Sequence, residues 1–292
     1  MPPSVAIGPP DPLRCAPDGM TGLHAKLPPA QRLARRIGAR LPNGWRDATV
    51  QIGLWLTADL LYEGVRGLVT GRGDVALANA RALISGEQTL GIFWEPHMQS
   101  LITGNHALIV ASNWIYLNAQ FTVNILFLAL VYWYRNEIFY FVRNMFFVSM
   151  GLALCVHLLF PVAPPRMFPS FGFVDTVHQV AHINQDTGAV SLFVNPYAAI
   201  PSMHMCFALL VGVTAVRLTT RPLLRVIAVL YPLLILAAII VTANHFIFDA
   251  AAGAATAAVA AIVAQRVMAR ARPEAWSWGQ RGRSVAARAA DA

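Results

Sequence analysis

The chain has 292 residues, of which 57% are hydrophobic and 12% charged, with a formal net charge of +8. A soluble domain carries about 25% charged residues, so this composition excludes an ordinary soluble protein and indicates an integral membrane protein. The basic excess does not predict a nucleic-acid partner, because the basic residues cluster at one side of the predicted membrane spans. The three cysteines lack the spacing of a metal site or a disulfide framework.

Two tails flank the predicted membrane domain. Residues 1–47 are rich in Pro, Gly, Ala and Arg, which predicts a disordered basic cytoplasmic tail with a short basic helix at Gln31–Arg40. Residues 272–292 are predicted to form a second disordered basic tail. Residues 48–271 form the membrane domain. Its first long apolar run starts too far into the chain for a cleavable signal peptide.

Six stretches of this domain are long and apolar enough to cross a bilayer as helices. In chain order they are Ala48–Val69, Ala107–Tyr134, Ile138–Phe160, Ser202–Thr219, Leu223–Thr242 and Phe246–Met268. After the first, Gly71–Ser100 is too polar to span and predicts an amphipathic helix at the membrane surface. The long loop Pro161–Ile200 is predicted to hold a short lid helix at Phe173–Ile183. The predicted fold class is all-α, a polytopic six-transmembrane-helix bundle with an interfacial helix.

The distribution of basic residues predicts the orientation of this bundle. With six spans, 18 of the 22 lysines and arginines fall on the side of the two termini. The positive-inside rule therefore predicts a multi-pass protein of the cell membrane with both termini in the cytoplasm. His204 and His245 begin the fourth and sixth spans, and Arg166 follows the third. All three are then expected at the non-cytoplasmic face.

These residues have the chemistry needed for phosphoryl transfer. His245 and Asp249 are four apart on one helix, so the carboxylate can fix the imidazole tautomer and leave the other nitrogen to attack. His204 is placed to protonate the leaving oxygen. Arg166 can clamp phosphate oxygens with its planar fork. The backbone N–H groups of Ser202, Met203 and His204 are expected to be exposed at a helix start, which favours anions, and Ser202 adds a hydroxyl donor.

The same residues carry a family resemblance. Pro201-Ser-Met-His204, followed by His245-x-x-x-Asp249, resembles the type 2 phosphatidic acid phosphatase superfamily over roughly residues 85–268. Pro161-Val-Ala-Pro-Pro-Arg166 and Thr242-Ala-Asn-His245 resemble its inositol phosphorylceramide synthase-like branch. The resemblance implies a six-helix bundle, a phosphohistidine intermediate without metal or other cofactor, and a lipid phosphate or phosphodiester substrate. It also implies that His245 is the nucleophile, Asp249 its partner, His204 the acid and Arg166 a phosphate ligand.

The chain departs from the broad pattern of this superfamily at two positions. Ile239 stands where a basic residue precedes the nucleophile by six positions, and Leu159 stands where a lysine precedes the arginine by seven. Thr242, Asn244, Tyr197 and the lid loop are candidates to compensate for these two cations. The candidate headgroup-binding residues are Asp59, Glu63, Glu87, Glu95 and Tyr197. Asp59 and Glu63 could equally belong to an internally paired cluster with Arg66.

Two alternatives use the same residues without this chemistry. A non-catalytic lipid-binding or transport protein would explain the polar stripes on the first two spans. A haem- or metal-binding membrane protein would use some of the eight histidines, but no HxxH or HExxH spacing occurs. The preferred interpretation is a membrane lipid phosphatase or phosphotransferase that acts at the outer face.

Overall fold

The computed structural model describes residues 28–67, 70–181 and 197–278. The chain divides into two compact units, Met1–Ile52 and Gly53–Ala292. In the first unit, the Trp45 indole N–H donates to the Ala34 carbonyl at 2.8 Å. The second unit holds all the elements that position the candidate site.

The regular secondary structure of the described residues is helical, apart from a single bridging pair at Val162 and Ala198. The helices are α1 (Pro29–Gly38), α2 (Gly44–Gly67), α3 (Gly73–Leu90), α4 (Glu95–Thr103), α5 (His106–Tyr134), α6 (Asn136–Leu159), α7 (Thr176–Ala181), α8 (Met203–Leu218), α9 (Pro222–Val241), α10 (Ile247–Ala271) and α11 (Pro273–Trp276). Two five-residue π turns interrupt the long helices, Ile115–Ala119 in α5 and Ala264–Met268 in α10. An all-helical fold was predicted, and the described residues confirm it.

Four of these helices are long and apolar enough to cross a membrane, namely α5, α6, α9 and α10. Each matches a predicted span to within a few residues. The other two predicted spans differ from this pattern. The apolar helix α8 has 16 residues, fewer than the roughly 20 that a bilayer needs, and α2 has 24 residues but carries Asp59 and Glu63. The count of six therefore stays a prediction.

The predicted single surface helix at Gly71–Ser100 is two helices, α3 and α4. Gly91 ends α3 in the left-handed region at φ 69°, and the Ile92 N–H closes the turn on the Glu87 carbonyl at 2.9 Å. Pro96 then starts α4 at a position that needs no N–H donor. The apolar face of α3, with Ala80 and Ile84, is buried against loop residues such as Phe168 and against Phe246. This face therefore packs on protein.

Two predicted segments are described only in part. The lid helix expected at Phe173–Ile183 is the single turn and a half of α7, and residues 182 and 183 lie outside the described ranges. In the predicted C-terminal tail, Trp276 lies under the Arg143 guanidinium and Trp278 packs edge-on against Phe141. These aromatic contacts explain why residues 273–278 lie against α6. Residues 1–27 and 279–292 of the predicted tails lie outside the described part.

In the second unit, α8 packs against α6, α9 and α10, and α10 also packs against α6. The Ala-rich helix α10 approaches the start of α8 closely, as its small side chains allow. The Ser202 N–H donates to the Asp249 carbonyl at 3.0 Å. The starts of α8 and α10 are thereby fastened side by side.

Gly253 is the position at which this close approach can be tested. A Cβ at Gly253 would overlap the Ser202 carbonyl oxygen and lie 3.3 Å from the Cys206 nitrogen. Because both are backbone atoms, the helices would have to separate. We expect G253A to lower the free energy of unfolding by about 1–3 kcal/mol, measured as a lower melting temperature in detergent.

Gly151 on α6 provides the matched control. A Cβ there meets no atom within 4 Å, so G151A should leave the melting temperature unchanged or slightly higher. If G253A melted at the wild-type temperature, the close approach of α8 and α10 would be wrong.

Candidate functional site

The two histidines singled out in the sequence lie together. His204 is the second residue of α8, and His245 lies two residues before α10. Their ring centroids are 5.6 Å apart in an edge-on arrangement. His245 is buried, at 6% exposure, and His204 is half-buried. The structure thus brings residues 41 positions apart into one site.

The His245 ring is oriented by a backbone carbonyl. Its Nδ1 lies 3.0 Å from the Ala199 oxygen and 3.4 Å from Asp249 Oδ2. The carbonyl can only accept, so Nδ1 carries the proton and Nε2 keeps its lone pair. Asp249 Oδ2 in turn accepts the Phe246 N–H at 2.9 Å. The predicted Asp249 partner therefore adjoins the ring, while the shorter bond goes to Ala199.

A chain of hydrogen bonds holds the segment that carries this carbonyl. The Ala199 N–H donates to Val162 at 3.2 Å. The His157 Nδ1–H donates to the Ile200 carbonyl at 2.8 Å, and His157 Nε2 accepts the Tyr62 hydroxyl at 3.1 Å. His157 is 1% exposed near the end of an apolar helix. A histidine in an apolar span is the sequence signal for such a role.

His204 is held by a residue that the sequence analysis did not select. Its Nε2–H donates to the Tyr116 carbonyl at 3.2 Å, and the two rings stack with centroids 4.5 Å apart. Tyr116 lies in the π turn of α5. Such turns are frequent at functional sites because they displace one residue from the regular helix surface.

Arg166 is bound to the segment just before His245. Its Nη1 donates to Asn244 Oδ1 at 2.7 Å, and its backbone N–H donates to the Ala243 carbonyl at 2.8 Å. Asp175 Oδ2 lies 3.6 Å from Arg166 Nε. Arg166 is 8% exposed, and Asn244 is fixed in turn by a 2.9 Å bond to the Thr242 hydroxyl. The guanidinium is therefore fixed on Asn244, the residue directly before His245.

Ser202 caps α8 from a fully buried position. Its hydroxyl oxygen accepts the Met205 N–H at 3.4 Å, and its own N–H is taken by the Asp249 carbonyl. Of the three backbone N–H groups predicted to face an anion, that of Ser202 is thus already bonded within the protein. A phosphate contact through the Ser202 hydroxyl proton stays a prediction.

The candidate headgroup residues occupy three places. Glu87 and Glu95 are fully buried at the start of α10, where they accept backbone N–H groups. Tyr197 is half-buried, and its hydroxyl lies beside Gly73 at the start of α3. Asp59 and Glu63 are half-buried on α2. Headgroup binding by these five residues stays a prediction, and burial favours a different role for Glu87 and Glu95.

Apolar side chains stand at the two positions where the superfamily pattern has a basic residue. Ile239 is fully buried in a cluster with Ile235 and Ile240, while Leu159 is exposed at the end of α6. Of the candidates to compensate, Asn244 uses its amide to hold Arg166 and Thr242. The described residues contain no group of three His, Cys, Asp or Glu side chains close enough to hold a metal ion. The absence of a metal stays a prediction.

Comparison with known proteins identifies the family. The family model for the PAP2 superfamily matches residues 81–263, more than half of the chain. This stretch includes α4–α9 and every residue of the His204–His245–Arg166 site. No curated protein and no solved structure matches the chain. Membership of this family suggests phosphatase or phosphotransferase chemistry on a phosphate-bearing substrate. The chain, in which four helices are long and apolar enough to cross a membrane, therefore belongs to the PAP2 superfamily.

Proposed function

We propose that the protein is a membrane enzyme that hydrolyses or transfers a lipid-linked phosphate through a phosphohistidine on His245. The observation that carries this proposal is the orientation of His245. Its Nδ1 proton is held by the Ala199 carbonyl, which leaves Nε2 as the nucleophilic nitrogen, and His204 lies 5.6 Å away. A site that only bound lipid would not need this fixed tautomer.

In the first half-reaction, His245 Nε2 attacks phosphorus and the bond from phosphorus to the leaving oxygen breaks. His204 gives its proton to that oxygen. We assign proton exchange to His204 Nδ1, because Nε2 is engaged by the Tyr116 carbonyl. Arg166, fixed by Asn244, stabilises the charge on the equatorial oxygens.

In the second half-reaction, water or an alcohol attacks the phosphohistidine, and His204 takes the proton of the attacking group. Water gives hydrolysis and an alcohol gives headgroup transfer. We favour the inositol phosphorylceramide synthase-like branch because its two motifs meet: Arg166 of the first contacts Asn244 of the second at 2.7 Å. The substrate class is a lipid phosphate or phosphodiester, with no nucleic acid, metal or other cofactor.

We also propose a six-span arrangement in the cell membrane, with both termini cytoplasmic and the site on the non-cytoplasmic face. Support comes from the basic residues, of which 18 of 22 fall on the side of the termini when α2 and α8 are counted as spans. The large apolar side chains exposed along α5 and α9 fit a lipid-facing surface.

The experiment uses whole cells that express the protein and a short-chain lipid phosphate that does not cross the membrane. We expect phosphate release, or transfer of the headgroup to an added alcohol, without permeabilisation. Alkaline quenching of the purified protein should trap radiolabelled phosphohistidine. Turnover only after permeabilisation would overturn the proposed face, and no turnover of any lipid phosphate or phosphodiester would overturn the proposed function.

A further inference from the structure

Three carboxyl groups hold the first turn of α10, which directly follows His245. The N–H groups of the first turn of a helix have no partner within the helix. Here the Phe246 N–H donates to Asp249 Oδ2, the Ile247 N–H to Glu95 Oε1 and the Phe248 N–H to Glu87 Oε1, each at 2.9 Å. All three acidic side chains are fully buried. They come from α10 itself, α4 and α3, so the turn is held from three directions.

Two of these carboxyl groups lie side by side, because Glu95 and Glu87 accept the N–H groups of adjacent residues. Within the part of the chain that the structure describes, the Oε2 atoms of Glu87 and Glu95 meet no N–H or hydroxyl donor, and a proton shared between the two side chains would satisfy them. Two ionised carboxylates can only accept, so a bond between them needs one proton on the pair. The charged or titratable neighbours are Glu95 from α4 and Asp249 from α10, with His245 3.4 Å beyond Asp249.

The surroundings favour this proton. Burial raises the pKa of Glu87 from 4.5 to about 9, and the hydrogen bond to Glu95 and the negative charges of Glu95 and Asp249 add to the shift. The Phe248 N–H acts in the opposite direction. At neutral pH Glu87 therefore keeps its proton, beside a site that is proposed to bind a phosphate anion.

We infer that Glu87 and Glu95 form a proton-sharing clamp that positions His245 through the first turn of α10, and that loss of the shared proton disables the site. The catalytic part of this inference rests on the proposed function of His245. When the proton leaves for solvent, two adjacent buried carboxylates repel each other. One must move, and the Ile247 or Phe248 N–H then loses its acceptor. The added charge also opposes an anionic substrate. Both glutamates are positioning residues, because neither touches the reacting atoms.

The first arm of the test measures folding and needs no activity. Between pH 4.5 and 9 the folded protein keeps a proton on Glu87 that the unfolded chain releases, so its stability falls as pH rises through this window. The amide in E87Q keeps an oxygen for the Phe248 N–H and donates to Glu95 without titrating. We expect the melting temperature of wild type in detergent to fall more steeply between pH 7 and 9.5 than that of E87Q.

E137Q is the matched control, since Glu137 is an exposed glutamate at the start of α6. It should keep the wild-type slope. E87A, which removes both the acceptor and the donor, should melt below E87Q at every pH. Parallel slopes for wild type and E87Q would overturn the shared proton.

The second arm measures turnover as the ratio of kcat for E87Q to kcat for wild type. Every other group that affects turnover is common to both proteins, so its effect cancels in this ratio. The ratio should rise about tenfold between pH 8 and pH 10, as expected for one group that titrates near pH 9 in wild type alone. A flat ratio with active wild type would overturn the clamp as a positioning device. Inactive wild type would overturn the proposed function, while the melting arm would still decide whether the proton is shared.

Discussion

Replacement of His245 by asparagine should reduce kcat by about 10⁴-fold or more and abolish the trapped phosphoenzyme. The asparagine amide can occupy the place of Nδ1 and still donate to the Ala199 carbonyl, which is 3.0 Å from Nδ1 in wild type. It has no counterpart to Nε2. The substitution therefore removes the nucleophile and keeps the bond that orders the segment. Turnover of a lipid phosphate and the melting temperature are measured together.

H106N is the control for this substitution, because His106 is an exposed histidine at the start of α5. It should keep both the activity and the melting temperature of wild type. H245A removes the bond to Ala199 as well and should melt below H245N. If H245N kept more than about one hundredth of wild-type turnover, His245 would not be the nucleophile. If wild type bound lipid phosphate without turnover, the alternative of a binding or transport protein would stand.

The helices that were predicted best have continuous apolar runs. The spans α5, α6, α9 and α10 follow from composition and length, because a helix that long and apolar fits only in a bilayer or a core. The predicted surface helix was wrong as a single element, although Gly91 and Pro96 are a readable stop and start signal. Its amphipathic pattern does not distinguish burial against a membrane from burial against a protein loop.

The sequence predicted the site residues but not the groups that orient them. Side-chain chemistry at the ends of predicted spans selected His204, His245 and Arg166, and the structure places their helices and loop together. The acceptors that orient the two rings are the backbone carbonyls of Ala199 and Tyr116, and a carbonyl leaves no trace in residue type. Only the fold determines which carbonyls a ring meets.

The two buried glutamates show why a charged residue type does not by itself reveal the role of the residue. In the sequence, Glu87 and Glu95 lie in a polar stretch, which favoured contact with a headgroup. Their backbone partners, Phe248 and Ile247, lie more than 150 positions away, so no local pattern predicts the contacts. Asn244 was considered as a substitute for a missing cation. In the structure it provides the oxygen that aims a cation already present, Arg166.

Because Asn244 holds the Arg166 guanidinium, we expect R166K to lower kcat/KM by about 10²–10³-fold. The planar fork of Arg166 donates to Asn244 at 2.7 Å through Nη1 and has Asp175 3.6 Å from Nε. It can keep these contacts while other N–H groups face phosphate oxygens. Lysine keeps the charge but is a single flexible donor group, so it loses the fixed geometry. The two missing basic residues leave little other positive charge to compensate.

R81K is the matched control. R81K makes the same exchange of arginine for lysine at an exposed residue of α3, whose guanidinium lies over the Phe168 ring at 5.9 Å. It should change kcat/KM by less than about twofold. Equal losses in R81K and R166K would show a general effect of the substitution.

A double-mutant cycle separates the effect of the orientation of the Arg166 guanidinium on activity from the effect of its charge. N244A removes the oxygen that holds Nη1 but keeps the charged guanidinium group in the protein. It should therefore lower activity, as R166K does, but by less. Because N244A acts through Arg166, the double variant R166K/N244A should lose little more than R166K alone. Fully additive losses would mean that Asn244 contacts the substrate itself, as a replacement for the missing cations. A kcat/KM of R166K equal to that of wild type would instead remove Arg166 from the phosphate site.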